Sequence, residues 1–333
     1  MKNKITIVGA GGWGTALAVL LSEKNNEVTL WCLEKETADE IAMNRTNSDF
    51  LPKIEIPNNV IPITDLNEIK YSDIIINTVP TQHIRAVYSK MDFSFKNKIF
   101  VNGAKGIEIK TLKRISEILI EVVDLDLNRY VVLSGPSHAE EVALGIPTAV
   151  LAASINIELA KEMQTFFSTN TFRVYSSCDI IGCELGGALK NVFSITSGIL
   201  DGLELGDNSK AALITRGLAE MSRLGIAIGA SPLTFSGLSG LGDLIVTCFS
   251  RHSRNRKVGE LIGQGKSLDE VLKNNNKMIA EGVSTTESAY QLSKSLNVNM
   301  PITEHTYNIL FNGVLAKDVT KMLMSRASKN EIW

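Results

Sequence analysis

Through the first half of the chain, short apolar runs alternate with longer segments whose apolar residues recur at helical spacing. Residues 5–8, 28–33, 73–79, 99–102, 130–134 and 148–153 are rich in Ile, Val, Leu and Ala, as buried strands require, and 172–175 is strand-like. Between them, segments 15–24, 111–123, 139–144 and 157–168 carry apolar residues on one helical face. Pro80 stands where it opens a helix from its first position. Strands alternating with helices predict an α/β fold with a mostly parallel, doubly wound sheet. Beyond Cys178 the pattern becomes helical throughout, over 181–203, 208–224, 235–249, 254–263, 267–274, 283–297, 302–312 and 315–325. Gly225, Pro232, Gly265 and Pro301 punctuate these segments.

The first strand runs straight into Gly9-Ala10-Gly11-Gly12-Trp13-Gly14, and a helix and a second strand follow. In that setting Gly9 permits a tight turn, Gly11 admits a pyrophosphate to the backbone, and Gly14 lets helix and strand pack closely. The helix start offers free N–H groups to the phosphates. Residues 1–178 therefore read as a Rossmann-type dinucleotide-binding domain, and residues 179–333 as an all-α domain that carries substrate and catalytic groups. Glu34 ends the second strand, where an acid accepts hydrogen bonds from adenosine ribose hydroxyls and repels a 2′-phosphate. Lys35 beside it works the other way. The expected cofactor is NAD(H), used at least as well as NADP(H), with NADP(H) left open. Ligands of such sheets lie beyond the carboxyl ends of the strands, where Pro80, Lys105 and Ser137 fall.

The second domain opens on an apolar stretch, 179–200, in which Glu184 and Lys190 are the formal charges after Asp179. Its glycines and polar residues suit a buried helix better than a membrane span. The Lys190 side chain leans over the turn holding Gly186 and Gly187. Two readings stand: a lysine snorkelling from a helix end, or a buried amine whose lowered pKa suits proton exchange with a substrate.

Length and composition narrow the classes. The chain has 333 residues, 44% of them hydrophobic and 21% charged, the balance of an ordinary globular protein of two domains. A net charge of −2 gives no basic field for nucleic acid or anionic membrane. The cysteines at 32, 178, 183 and 248 form no C-x-x-C pair, and the four histidines show no metal spacing, so no metal is expected. The start is too poor in apolar residues for a signal peptide, which points to the cytoplasm. No integral membrane segment is expected, and the residues leave a homodimer open. In 251–257 four cations stand in seven residues. That run reads as a solvated helix end, or as a small anion site with Ser253 capping a helix and Arg254 forking onto a phosphate. It lacks the interleaved aromatics of RNA binders. His138, beside Glu140 and Glu141, reads equally as an acid–base group or as a surface helix start.

Several segments together resemble one family. They are GAGGWGTA at 9–16, AKGIE at 104–108, LSGPSHAEE at 133–141, CELGGALKN at 183–191, NSKAALITRGLAEM at 208–221, GLGDLIVTC at 240–248, HSRN at 252–255 and AEGVSTT at 280–286. In this order the chain is similar to bacterial-type NAD(P)-dependent glycerol-3-phosphate dehydrogenases. The resemblance implies reversible hydride transfer between NAD(P)H and dihydroxyacetone phosphate, a phosphorylated small molecule, supplying a phospholipid precursor. It implies Lys190 as general acid–base, Lys105 and Asp243 as the other catalytic residues, and Lys105 as a contact to both substrate and cofactor. It implies Gly135, Ser137, Asp243, Ser253, Arg254 and Asn255 around the substrate. Trp13, Ala139, Arg254, Ile279 and Glu281 match cofactor contacts. Two departures stand out: Gly12 replaces the family's usual serine, and Leu33-Glu34 replace positions often basic or His. A dehydrogenase for another hydroxy acid or sugar phosphate, and a nicotinamide sensor without turnover, are the competing readings.

Overall fold

The structure is a computed structural model that describes residues 3–24, 26–273, 280–325, 328 and 330–331. Eight strands form one sheet: β1 (Ile5–Val8), β2 (Val28–Trp31), β3 (Val60–Ile63), β4 (Ile74–Asn77), β5 (Ile99–Asn102), β6 (Tyr130–Ser134), β7 (Thr148–Ala153) and β8 (Phe172–Ser177). The order is β3-β2-β1-β4-β5-β6-β7-β8. The β6–β7 pair is antiparallel and the other pairs are parallel. Helices α1 (Gly12–Ser22), α2 (Lys35–Asn44), α3 (Thr81–Tyr88), α4 (Ile115–Val123), α5 (Ala139–Ala143) and α6 (Ile157–Phe167) lie among the strands. Alternate residues feed the two faces. Ile5, Ile7, Leu30, Ile74 and Ile76 pack into one apolar core, and Val8, Trp31, Ile75, Phe100 and Val132 into the other. The chain runs outward from β1 to β3 and returns to β4 on the other side of β1. Strand order therefore reverses beside the glycine loop, where ligands of such sheets sit.

No strand follows Ser177 among the described residues. The helices are α7 (Ile180–Gly202), α8 (Gly206–Ala227), α9 (Pro232–Phe235), α10 (Asp243–Phe249), α11 (Arg254–Gly263), α12 (Leu268–Lys273), α13 (Glu281–Ser295), α14 (Pro301–Phe311) and α15 (Ala316–Met324). Helix α7 is their axis, touching α8, α10, α11, α13 and α14. Its crossing with α11 is built on small residues. A Cβ at Gly198 would collide with the Arg256 carbonyl, and one at Gly259 with the Ile195 carbonyl. At the other end of α7, Glu184 accepts from Arg114 (2.7 Å), Ser116 N–H (2.8 Å) and Tyr130 (2.6 Å). That buried carboxylate ties the axis to β6 and α4.

Four local expectations change. Strand β2 ends at Trp31, two residues before Leu33, which is 68% exposed. The segment before α4 is not helical, because Leu112 takes a left-handed φ of 58° and Arg114 caps a helix that starts at Ile115. Strand β3 went unread because Pro62 interrupts its pattern, and β3 tolerates that proline as an edge strand. The segment 235–249, expected as one helix, is broken by a π-helical turn at Leu238–Gly242. By composition Pro232–Phe249 is long and apolar enough to cross a membrane. Here it forms three short pieces and carries the fully buried Asp243.

Candidate active site

A cleft of about 530 Å³ runs along the carboxyl edge of the sheet and beneath the helical part, a volume ordinary for a small-molecule site. One end is the glycine loop. Gly9 takes a φ of 113° that L side chains rarely adopt. A Cβ at Gly14 would fall 2.6 Å from the Thr78 hydroxyl, whereas at Gly11 it would meet nothing within 4 Å. The loop is thus packed behind and open in front, which fits a dinucleotide pyrophosphate. Gly9, Gly11, Gly12, Trp13 and Gly14 all line the cleft, and the buried Trp13 Nε1 has no partner among the described residues. Glu34 stands at the N-cap position of α2 on the far rim, exposed and lining the same cleft. Gly12 has a structural role that its replacement of serine did not announce: a Cβ there would lie 2.7 Å from the Phe50 carbonyl.

The other end is a cluster of charges. Lys190 on α7 and Lys105 beyond β5 converge on Asp243, the first residue of α10. Lys190 Nζ donates to Oδ1, and Lys105 Nζ donates to Oδ2 at 2.6 Å and to the Gly135 carbonyl at 3.1 Å. Thr247 closes the set by donating to the Asp243 backbone carbonyl at 2.6 Å. Burial pushes the Lys190 ammonium down to about 8; Asp243 opposes the shift and the Lys105 charge adds to it. Burial also works against the Asp243 carboxylate, but Lys105 and Lys190 together hold it below the ordinary aspartate range. The space beside Gly186 and Gly187 is filled by protein. A Cβ at Gly187 would lie 3.2 Å from the Lys105 stem, and one at Gly186 would collide with the Ser239 carbonyl. These glycines seat Lys105 and the π-turn, so the open space lies in front of the amines.

Between the two ends lies the start of α11. Ser253 caps it, accepting from Arg256 N–H at 3.2 Å, and its hydroxyl meets Ser194 at 2.7 Å. The Arg254 guanidinium lies beside the glycine loop, 3.7 Å from where a Gly12 Cβ would be, and makes no hydrogen bond among the described residues. Asn255 donates to Asn191 at 2.9 Å and accepts from Gly282 N–H at 3.0 Å, pinning α11 to α7 and α13. Glu281 faces the Thr81 N–H at 3.4 Å. Desolvation raises its carboxyl to about 7 against the pull of that N–H and of Arg254.

Lys105, Ser137, Ala139, Lys190, Ser253, Arg254, Asn255 and Glu281 all lie on the cleft wall. Gly135 and Asp243, expected as substrate contacts, lie behind it and reach the cleft through the lysines they hold. Ile279 lies outside the described residues. Sequence reasoning missed Phe50, Asn191, Thr247 and His252, which also line the cleft. Asn191 was within reach as the neighbour of Lys190 in a charge-poor helix; Phe50, on an irregular loop, left no pattern. Among the described residues no cluster of His, Cys, Asp and Glu is placed to hold a metal ion.

Comparison with known proteins agrees with this geometry. Residues 4–160 match the model of the NAD-dependent glycerol-3-phosphate dehydrogenase N-terminus, and residues 179–321 that of its C-terminus. The chain is 49% identical to the glycerol-3-phosphate dehydrogenase [NAD(P)+] of Oceanobacillus iheyensis, over 99% of this chain and 96% of the relative. It is 48% identical to the enzyme of that name from Bacillus subtilis, with 99% and 96% covered. The crystal structure of glycerol-3-phosphate dehydrogenase from Coxiella burnetii superposes with a TM-score of 0.91 at 35% identity, covering 98% of this chain and 99% of the other. With both halves matched in order and half of all positions shared with full-length relatives, the chain belongs to the NAD-dependent glycerol-3-phosphate dehydrogenase family.

Proposed function

We propose that this protein reduces dihydroxyacetone phosphate to sn-glycerol 3-phosphate, reversibly, with a reduced nicotinamide dinucleotide, and so supplies a phospholipid precursor. The observation that carries the proposal is the Asp243 carboxylate shared by Lys190 and Lys105 just behind the wall of a cleft whose other end is a dinucleotide loop. The bound dinucleotide supplies the hydride that reaches the ketone carbon. Lys190 gives its proton to the ketone oxygen, and takes it back in the reverse direction; an amine brought to about 8 is suited to both. Assistance of this kind is worth roughly 10²–10⁴-fold. Lys105, held at two points, presents a second cation to the same oxygen. Asp243 touches neither hydride nor ketone and sets the direction of both amines. Arg254, Ser253, Asn255 and the first turn of α11 grip the phosphate, so that binding at the far end of the substrate orients its carbonyl. Residues 1–178 act as the dinucleotide domain and 179–333 as the catalytic one, in the cytoplasm.

The test is the loss of NADH absorbance when dihydroxyacetone phosphate is added, repeated with unphosphorylated dihydroxyacetone, with a 2-oxo acid and with NADPH. Turnover is expected with the phosphorylated ketone, and kcat/KM with NADH at least equal to that with NADPH, because Glu34 lines the coenzyme end of the cleft. Turnover of the 2-oxo acid alone contradicts the substrate, and coenzyme binding without turnover of any ketone makes the protein a sensor. A tenfold or greater preference for NADPH contradicts the role of Glu34.

A further inference from the structure

Of the two cleft lysines, Lys190 rides on a long helix, whereas Lys105 stands on an irregular stretch from Gly103 to Arg114, between β5 and α4. Such a stretch holds a side chain in place only where its backbone groups find partners. Before Lys105 the partner is Asn102, whose amide accepts from the Ala104 N–H at 3.2 Å and donates to the Ala104 carbonyl at 3.1 Å. After it the partner is Gln82, in the first turn of α3. The Gln82 amide donates to the Ile107 carbonyl at 2.8 Å and accepts from the Ile109 N–H at 3.1 Å. A side-chain amide donates and accepts without carrying charge, which is what this pair of backbone groups requires. Gln82 does not itself line the cleft.

The contacts around this brace press the stretch onto α3. A Cβ at Gly106 would fall 2.5 Å from the Thr81 hydroxyl, and Arg85 forks onto Glu108 at 3.0 and 2.9 Å. Ile107 is buried in the core of the helical part, and Ser288 on α13 donates to its carbonyl at 2.9 Å. Gln82 therefore grips the chain where it passes from the sheet into the helical part, just beyond Lys105. We propose that Gln82 is a positioning residue of the reaction, which braces the backbone at Ile107 and Ile109 and so holds Lys105 at the Asp243 carboxylate beside Lys190. The assignment rests on Lys105 and Lys190 being the pair that serves the ketone oxygen.

The experiment measures kcat/KM for dihydroxyacetone phosphate, and the pH dependence of the reduction kcat, in the unmodified enzyme, Gln82→Met, Lys105→Ala and the double variant. Methionine keeps the length and bulk of glutamine and removes both hydrogen bonds. Gln82→Met should lose about tenfold or more in kcat/KM when Lys105 is present, and less than about twofold when Lys105 is already alanine. The charges beside Lys190 are Asp243 on α10 and Lys105 on this stretch, with His138 and Glu281 on the same cleft wall. When the Lys105 cation recedes, the Lys190 ammonium keeps its proton to higher pH, so the fall in reduction kcat should move up by about half a pH unit or more. A purely structural Gln82 would cost the same in both backgrounds and leave that midpoint where it was. Equal losses in the two backgrounds, or an unmoved midpoint, overturn the proposal in favour of a packing role. Full activity of Gln82→Met overturns it as well. Should that variant not fold, Gln82→Asn, neutral and too short to span both backbone groups, decides by the same two readings. A Lys105→Ala enzyme with undiminished kcat/KM overturns the reading of Lys105 and the proposal with it, and is distinct because Gln82 is untouched there.

Discussion

Lys190 is placed to run the proton transfer in both directions. Its ammonium sits at about 8, far enough below the ordinary lysine range to deprotonate within reach of physiological pH. Reduction of the ketone needs the protonated amine, so kcat for reduction should fall as pH rises through about 8. Oxidation of the alcohol needs the neutral amine, and its kcat should rise through the same window. Unfolding does not produce this pattern through Lys190. Between about 8 and the unfolded value of 10.5 the unfolded chain holds more protons at this site than the folded one, so its contribution to stability grows with pH there. A reduction kcat that stays flat from about pH 7 to about pH 10, in protein that remains folded, contradicts the assignment. Lysines, an arginine and a glycine loop were legible in the chain because each is a residue type whose chemistry or conformation is hard to replace. Asp243 was legible by resemblance, but its place behind both amines was not, since that depends on a π-turn far from either lysine in sequence.

Among the elements, the α7–α11 crossing matters most for the site. Small residues let the two helices touch backbone to backbone, which brings Ser253, Arg254 and Asn255 up to the flank of Lys190. Val at position 198 would meet the Arg256 carbonyl and force the helices apart. Overpacking of this kind costs about 1–3 kcal/mol or more. Gly198→Val should lower Tm by several degrees and raise KM for dihydroxyacetone phosphate more than KM for NADH, because α11 moves and the glycine loop does not. An unchanged Tm in differential scanning calorimetry contradicts this account of the crossing. The periodicity that revealed both helices says nothing about their separation. The same blindness hid β3, where a proline masks an edge strand, and the break in 235–249, where glycines permit a turn that hydrophobic spacing alone reads as continuous helix.

Over the whole molecule, function lies at the junction of sheet and helices. Lys105 comes from the sheet and Lys190 and Asp243 from the helical part, so the shared carboxylate exists only when the two are docked. Glu184 holds the same junction from the other end of α7, through Tyr130 and Ser116. The succession of strands and then helices made this plan readable in the sequence, while the contacts that dock the two parts were not, because they join residues far apart in the chain. The dinucleotide loop lies at the opposite end of the cleft and shares no hydrogen bond with Lys190. That separation makes Lys190→Ala the most direct test. The variant should lose at least about 10²-fold in kcat for dihydroxyacetone phosphate reduction while NADH affinity, followed by fluorescence titration, stays close to that of the unmodified protein. A Lys190→Ala enzyme that keeps a tenth of the original kcat, with NADH bound as before, contradicts the assignment of the proton donor.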